Sequence, residues 1–239
     1  EVRAPAQQSG EQLLVATTAN RVYALDAASG QVLWSQGRPP PHRLTVDGHA
    51  QATPRDGRVF VSFADGFAMA LRQHDGAILW ERPLSLRGGP FVDADADPVA
   101  GQTHAFFASY SDGVFALQVA DGQVGWNHSV YGATSLIARG EALLVGLADG
   151  TVLALRQSDG APLWHSRVGH GPVSRLLVDG PYVLLTGGDG MLVVLDLLTG
   201  RPVQAAPLGA RTVGDPQAQG GMVGVVTVDG ALLLWSREL

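Results

Sequence analysis

Three aspartates recur at every second position in the segment FVDADADPVAG (91–101): Asp93, Asp95 and Asp97. Carboxylates this close together could bind a hard cation such as Ca²⁺, act as a general acid and base, or present negative charge to a partner protein. A calcium loop of the EF-hand type needs glycine at its sixth position and glutamate at its twelfth. Counted from Asp93, these positions hold Pro98 and His104, so the calcium hypothesis loses most of its support.

Other residues that could carry out catalysis are sparse. The chain has no cysteine, which excludes a thiolate nucleophile, a disulfide framework and cysteine-bound metal. The seven histidines show no HExxH or comparable ligand spacing, which favours surface and loop positions over a metal site. We therefore expect no enzyme activity, no metal and no cofactor.

Composition limits the remaining classes of function. The chain has 239 residues, 46% of them hydrophobic and only 16% charged, with a net charge of −6. A negative charge argues against a nucleic-acid backbone as partner. The sequence contains no apolar run that could span a bilayer, and its first residues, EVRAPAQQSG, do not resemble a signal peptide. Any targeting peptide is expected to have been removed or never present.

The elements that position these residues are repeated units. Four segments share Ala-Leu, then glycine, then tryptophan at identical offsets: VYALDAASGQVLW, AMALRQHDGAILW, VFALQVADGQVGW and VLALRQSDGAPLW (22–34, 68–80, 114–126 and 152–164). A fifth copy, LVVLDLLTGRPVQ (192–204), has Gln204 where the tryptophan would stand, and a sixth, TVDGALLLWSREL, has no strand after it. Such self-similarity indicates copies of one structural unit.

Each copy follows a second turn signal, usually Asp-Gly, with Asn20-Arg21 in the first copy. Asp-Gly between apolar runs predicts a hairpin with a type I′ turn, in which both central residues have positive φ. Four short strands in about 40 residues are typical of a propeller blade. Apolar residues at consecutive strand positions predict sheets that are packed on both faces. We expect the four repeat tryptophans, Trp34, Trp80, Trp126 and Trp164, to wedge between blades rather than to form a cofactor cage.

The pattern Ala-Leu-Asp-x-x-x-Gly-x-x-x-Trp resembles the quinoprotein-type propeller repeat over the whole chain. This repeat is known in quinone-dependent dehydrogenases, in extracytoplasmic sensor or ligand-binding modules, and in the BamB family of lipoproteins that take part in outer-membrane β-barrel assembly. The dehydrogenases are much longer eight-bladed chains that hold a quinone and calcium, typically beside a vicinal disulfide. A chain without cysteine departs from that pattern.

Two segments resemble the BamB family in particular. The run VDADADPVAG is similar to a stretch in which two acids precede a proline-containing inner strand, and HRLTVDGHAQATP (42–54) is similar to the family's Leu-x-Leu-Arg-Gly segment. In the family, both segments contact the periplasmic POTRA domains of BamA. The resemblance assigns that contact to Leu44, Val46, Asp93 and Asp95. Asp47 is the fifth predicted contact residue, but it stands where the family has arginine, so a charge-assisted contact would be lost.

Repeat phasing places these segments together. The first two units are the longest, and their extra residues lie between the outer strand of one blade and the inner strand of the next. That connection and the Asp-Gly turn emerge at the same end of a blade. Asp65 and Asp112 are therefore expected to lie there, close to the predicted contact residues Leu44, Val46, Asp93 and Asp95. Exposed apolar residues among acids predict a binding patch for a mixed or basic partner. Asp97, next to Pro98, is interpreted as a turn former.

The sequence thus predicts one all-β domain over 1–239, a propeller of about six four-stranded blades whose last blade lacks its outer strand. The resemblance covers about six of eight BamB blades, so this set could belong to an eight-bladed ring, and we expect a shortened family member or a mature fragment without the lipid anchor. The expected function is a non-enzymatic scaffold at the periplasmic face of the outer membrane. It would bind BamA and guide unfolded barrel proteins; a sensor or ligand-binding module is the alternative, and a quinone-dependent dehydrogenase a weaker one.

Overall fold

The structure, a computed structural model, describes residues 1–2, 4–39, 50–85, 94, 96–173, 176–212, 216–219 and 222–236. All regular secondary structure in these ranges is β-strand. Each sheet is antiparallel, and neighbouring strands in a sheet follow one another along the chain. The predicted all-β class and up-and-down blades are confirmed. The chain divides into two compact units, 1–133 and 134–239, which are described separately below. The assignment of one domain to 1–239 stays a prediction.

The described part of the first unit holds three four-stranded sheets, which we call blades 1 to 3. Blade 1 consists of β1 (Gln7–Ser9), β2 (Gln12–Thr17), β3 (Arg21–Asp26) and β4 (Val32–Gly37). Blade 2 consists of β5 (Thr53–Arg55), β6 (Arg58–Phe63), β7 (Phe67–Arg72) and β8 (Ile78–Pro83). Blade 3 consists of β9 (Val99–Ala100), β10 (His104–Ser109), β11 (Gly113–Gln118) and β12 (Val124–His128).

The second unit holds blades 4 to 6. Blade 4 consists of β13 (Ala133–Arg139), β14 (Ala142–Leu147), β15 (Thr151–Arg156) and β16 (Pro162–Arg167). Blade 5 consists of β17 (Leu177–Asp179), β18 (Tyr182–Thr186), β19 (Met191–Asp196) and β20 (Pro202–Pro207). In the described ranges blade 6 has three strands, β21 (Gln217–Gln219), β22 (Met222–Val226) and β23 (Leu232–Ser236), as predicted.

The central strands of blades 2 to 5 are buried on both faces, as the consecutive apolar residues predict. In β6, Val59 and Val61 pack in a cluster with Trp34 of blade 1. Phe60, between them, packs in a cluster with Phe107 of blade 3. Successive side chains of a strand point to opposite faces of the sheet. A sheet that is packed between two others therefore needs apolar residues at both odd and even positions of its strands. This explains why the repeats lack a simple apolar–polar alternation.

The repeat tryptophan and glycine form one contact between successive blades. The Trp34 ring of blade 1 lies so close to Gly76 of blade 2 that a Cβ on Gly76 would stand 2.6 Å from a ring carbon. The Trp34 indole N–H donates to the Gln73 carbonyl at 2.8 Å. Trp80 and Trp164 make the same bonds, at 3.1 Å, to the carbonyls of Val119 and Leu197. The predicted wedge is confirmed for these three residues, and Trp126 is also buried.

The predicted type I′ geometry is wrong for the Asp-Gly turns between the second and third strands of the blades, although the hairpins themselves are present. In blade 2, Phe63 pairs with Phe67 across a three-residue loop, and the Gly66 N–H donates to the Phe63 carbonyl at 2.9 Å. Gly66 has φ +81°, whereas Asp65 is not among the described residues with positive φ. A three-residue loop that ends in a left-handed glycine needs only that residue at positive φ.

Aspartates stabilise the turns that carry the repeat glycines. The Asp26 carboxylate accepts hydrogen bonds from the Ser29 hydroxyl at 2.6 Å and the Ser29 N–H at 2.7 Å, and these bonds lower the Asp26 pKa. Asp196 is held in the same way by Thr199, which lowers its pKa. For Asp75 and Asp159, a backbone N–H two residues later is the main cause of a lowered pKa.

Candidate partner interface

Each outer strand ends beside the Asp-Gly turn, or its equivalent, of the same blade. The Arg38 N–H, just after β4, donates to the Asn20 carbonyl at 2.9 Å, and the Leu84 N–H, just after β8, donates to the Gly66 carbonyl at 2.7 Å. In the second unit, Val168 makes the corresponding bond to Gly150 at 2.9 Å. The prediction that connections and Asp-Gly turns share one end of a blade is therefore confirmed for these blades. We call this the connection end.

Arg38 joins blades 1 and 2 at the connection end. Its Nε lies 2.6 Å from Asp65 Oδ2, its Nη1 lies 2.9 Å from Glu81 Oε2, and its guanidinium carbon lies 3.6 Å from the centre of the Phe67 ring. The Arg38 and Asp65 side chains are both only 17% exposed, so the pair is shielded from solvent. The arginine thus fixes the point at which the first long connection leaves blade 1.

The two turn acids do not form the exposed patch that the sequence predicts. Asp65 is engaged by Arg38 within the chain. Asp112 is 5% exposed, and its Oδ2 is buried without a hydrogen-bond partner. Neither carboxylate is free at the surface to meet a partner, so the prediction that Asp65 and Asp112 contribute exposed acid is wrong.

Asp97 links the two long connections. Its Oδ1 accepts a hydrogen bond from the Gln51 N–H at 2.7 Å, across 46 residues of chain. Gln51 lies at the end of the first connection and Asp97 at the end of the second, and a side-chain bond also joins Gln51 to Gln7 near the first blade's inner strand. The interpretation of Asp97 as a local turn former is wrong, because its carboxylate holds a neighbouring blade.

Further bonds join blade 2 to the inner strand of blade 3 and to the residues just before it. The Thr53 hydroxyl donates to the Pro98 carbonyl at 2.7 Å, and the Ser62 hydroxyl donates to the Ala96 carbonyl at 3.1 Å. Arg55 Nη1 donates to the Ala100 carbonyl at 2.6 Å. The described residues on either side of the two connections are thus fixed to the same part of the first unit.

All five predicted contact residues lie outside the described residues: Leu44, Val46, Asp47, Asp93 and Asp95. Their assignment therefore stays a prediction. Between the last two, Ala94 is 1% exposed, and Ala96 is 2% exposed. The alanines of the Ala-Asp alternation thus belong to the core, which explains why small apolar residues alternate with the acids.

The described residues include no group of three or more histidine, aspartate or glutamate side chains placed to hold a metal ion. Within the same ranges, no helix is long and apolar enough to cross a membrane. What the connection end offers chemically is a set of anchors for two adjacent segments.

We expect Asp97→Ala to raise the hydrogen-exchange rate of the Gln51 amide by about 10- to 100-fold, because a hydrogen bond to a charged group contributes about 1.5–3 kcal/mol. Exchange followed by NMR under native conditions measures this. Asp121→Ala is the matched control, since the Asp121 carboxylate accepts the nearby Gln123 N–H at 2.9 Å and serves a local turn. An unchanged Gln51 rate in Asp97→Ala would show that this bond does not hold the two connections together.

Antiparallel four-stranded blades joined by a tryptophan–glycine contact define the class: a β-propeller of quinoprotein-type repeats. The family model for the outer membrane protein assembly factor BamB matches residues 1–166 and 148–237. The chain therefore belongs to the BamB family. This membership groups it with assembly factors rather than with dehydrogenases.

Individual relatives agree with this assignment. The assembly factor BamB of Moranella endobia is 20% identical over 96% of this chain, and that of Legionella pneumophila is 28% identical over 74%. The crystal structure of BamB from Moraxella catarrhalis superposes with a TM-score of 0.83 at 23% identity, covering 97% of this chain and 71% of that one, which supports the propeller fold. The chain spans 61% and 48% of the length of the two curated relatives.

Proposed function

We propose that this protein is a non-enzymatic assembly factor for outer-membrane β-barrel proteins, which docks the connection end of its first unit on the POTRA domains of a BamA-like partner. Membership of the BamB family supports the general role. The observation that carries the docking surface is the Asp97–Gln51 bond, since it brings the ends of both long connections to one place.

In this proposal the two connections contact the partner jointly. Leu44 and Val46 provide apolar contact, and Asp93 and Asp95 provide negative charge for basic residues of the partner. Asp47 replaces the arginine of the family pattern, so the partner should present a cation or a neutral donor at that contact. Arg38 and Asp97 act as positioning residues, because their own side chains are occupied within the chain.

The proposed location is the periplasmic face of the outer membrane, reached through the partner or through a lipid anchor. Unfolded barrel proteins are the proposed clients, guided by blade edges or by the opposite end of the blades. An unpaired outer strand can accept an extended segment by strand addition. The outer strands β4 and β8 carry exposed apolar residues, including Val32 and Ile78, which suit such clients.

The test is the affinity of the full chain for the purified POTRA domains of the same organism's BamA. Asp93→Ala combined with Asp95→Ala should weaken binding about ten-fold or more, since charge-assisted contacts contribute about 1.5–3 kcal/mol each. The double variant Asp121→Ala, Asp159→Ala is the matched control and should bind within about two-fold of wild type, because these acids serve local turns. Equal binding by the Asp93/Asp95 variant would reject the docking surface, and no binding by wild type would reject the partner.

A further inference from the structure

The second unit contains an open cavity of about 400 Å³ where blades 4 and 5 meet. It is lined by residues of the β13–β14 turn, of the outer strand β16 and of the loop after β19. The lining side chains combine apolar and charged groups: Arg139, Glu141, Ala142, Leu163, Trp164, Leu197 and Leu198. The volume is within the usual range for ligand sites, about 300–1,000 Å³.

The equivalent position in the first unit is closed by the chain itself. Gln73 of blade 2, three residues before the repeat glycine, extends its amide to the turn of blade 1 and donates to Ser9 Oγ at 2.9 Å. Trp34 beneath it is 8% exposed. In blade 5 the corresponding residue is Leu197, whose side chain cannot donate such a bond. Trp164 is only partly buried.

Two leucines at this cavity expose apolar surface, and Leu198 is the most exposed large hydrophobic residue in the described ranges. Leu198 is 83% exposed and Leu163 is 43% exposed. The other blades have alanine, histidine or serine at the turn position of Leu198, namely Ala28, His74, Ala120 and Ser158. A leucine at the tip of a polar turn, next to an open cavity, is the type of exposed apolar feature that marks interaction sites.

Two charges of opposite sign stand on the same rim. Arg139 and Glu141 flank Gly140 in the β13–β14 turn, and both are exposed. Within the described ranges neither side chain takes part in an ion pair or a side-chain hydrogen bond. Both remain available to a ligand that carries charges next to an apolar group.

We infer that this cavity binds an extended segment of a partner protein that inserts one large apolar side chain between Leu163 and Leu198. An acidic residue beside it would pair with Arg139 and a basic residue with Glu141. A side chain of the size of leucine or phenylalanine would fill the apolar part of the cavity. Because two opposite charges lie on the rim, a ligand that also carries charged groups would bind better than a purely aliphatic one. This site belongs to the second unit and does not depend on the proposed docking of the first.

The test uses NMR titration of the full chain with a blocked peptide, Gly-Gly-Glu-Leu-Lys-Gly-Gly. We expect saturable shifts of the Leu163 and Leu198 amides. A peptide with serine in place of leucine should bind about ten-fold more weakly, as expected from the burial of a leucine side chain. A peptide with glutamines in place of both charges should bind several-fold more weakly.

Two variants distinguish specific binding at this site from non-specific binding to exposed apolar residues. Leu198→Ser introduces the residue type that blade 4 has at Ser158, and it should weaken binding of the leucine peptide about ten-fold. Leu79→Ser alters an exposed leucine at the place in blade 2 that matches Leu163, and should leave the affinity unchanged. The inference is overturned if wild type shows no saturable shifts, if Leu198→Ser binds like wild type, or if leucinamide alone binds as tightly as the peptide, which would indicate a small-molecule site.

Discussion

Replacing Trp80 with alanine is expected to lower the free energy of unfolding by about 4 kcal/mol, within the usual range for tryptophan or phenylalanine to alanine in a core. The ring is 5% exposed and lies between Phe60 and Phe107, with both ring centroids 6.1 Å away. The substitution leaves a cavity between blades 2 and 3 and removes the donor to the Val119 carbonyl. Urea unfolding followed by circular dichroism measures the change.

Trp80→Phe is the matched variant, because it retains an aromatic ring but removes the indole N–H. We expect it to cost about 1–3 kcal/mol, the sum of a smaller cavity and one unsatisfied acceptor. If Trp80→Ala were as mild as Trp80→Phe, the ring would not be the main contact between these blades.

Replacing Gly76 with alanine is expected to cost about 3 kcal/mol, as left-handed backbone costs roughly 1–2 kcal/mol for a residue with Cβ and overpacking typically adds 1–3 kcal/mol. Gly76 has φ +72°, and an added Cβ would meet three atoms of the Trp34 ring, the nearest at 2.6 Å. The ring cannot retreat without breaking its bond to the Gln73 carbonyl. Thermal and urea unfolding should both record the loss.

Gly30 provides an internal control for this substitution. It holds the same motif position in blade 1, with φ +73°, but has nothing within 4 Å of an added Cβ. Gly30→Ala should therefore cost only the backbone term, about 1–2 kcal/mol. Equal costs at Gly30 and Gly76 would contradict the proposed role of the tryptophan contact.

The blades could be predicted because the residues that define their strands and turns lie close together in the sequence and recur in several copies. The spacing from Ala70 to Gly76 and Trp80 encodes a strand, a turn and an outer strand, and the same offsets recur in other copies. The turn type was not predictable from Asp-Gly alone. That dipeptide suits two-residue and three-residue loops, and the pairing of Phe63 with Phe67 selects the longer one.

The contacts at the connection end depend on residues far apart in the chain. Repeat phasing could have suggested Arg38, because it follows its outer strand directly and reaches the turn of the next blade. Nothing in the local sequence links Asp97 to Gln51, since this bond depends on how two connections return to adjacent inner strands. The low exposure of Asp65 was missed for the same reason, since Arg38 of the preceding blade covers this turn residue.

The tryptophan–glycine contact has a consequence for how such chains change in evolution. Trp34 meets Gly76, and Trp80 meets Gly122, through nearly the same close approach of ring and backbone. A blade that keeps both residues therefore presents its tryptophan ring to one neighbouring blade and its repeat glycine to the other. A whole repeat that keeps both residues can be duplicated or deleted by recombination and will make the same tryptophan–glycine contact with its new neighbours, so repeat number can vary among homologues more readily than this contact.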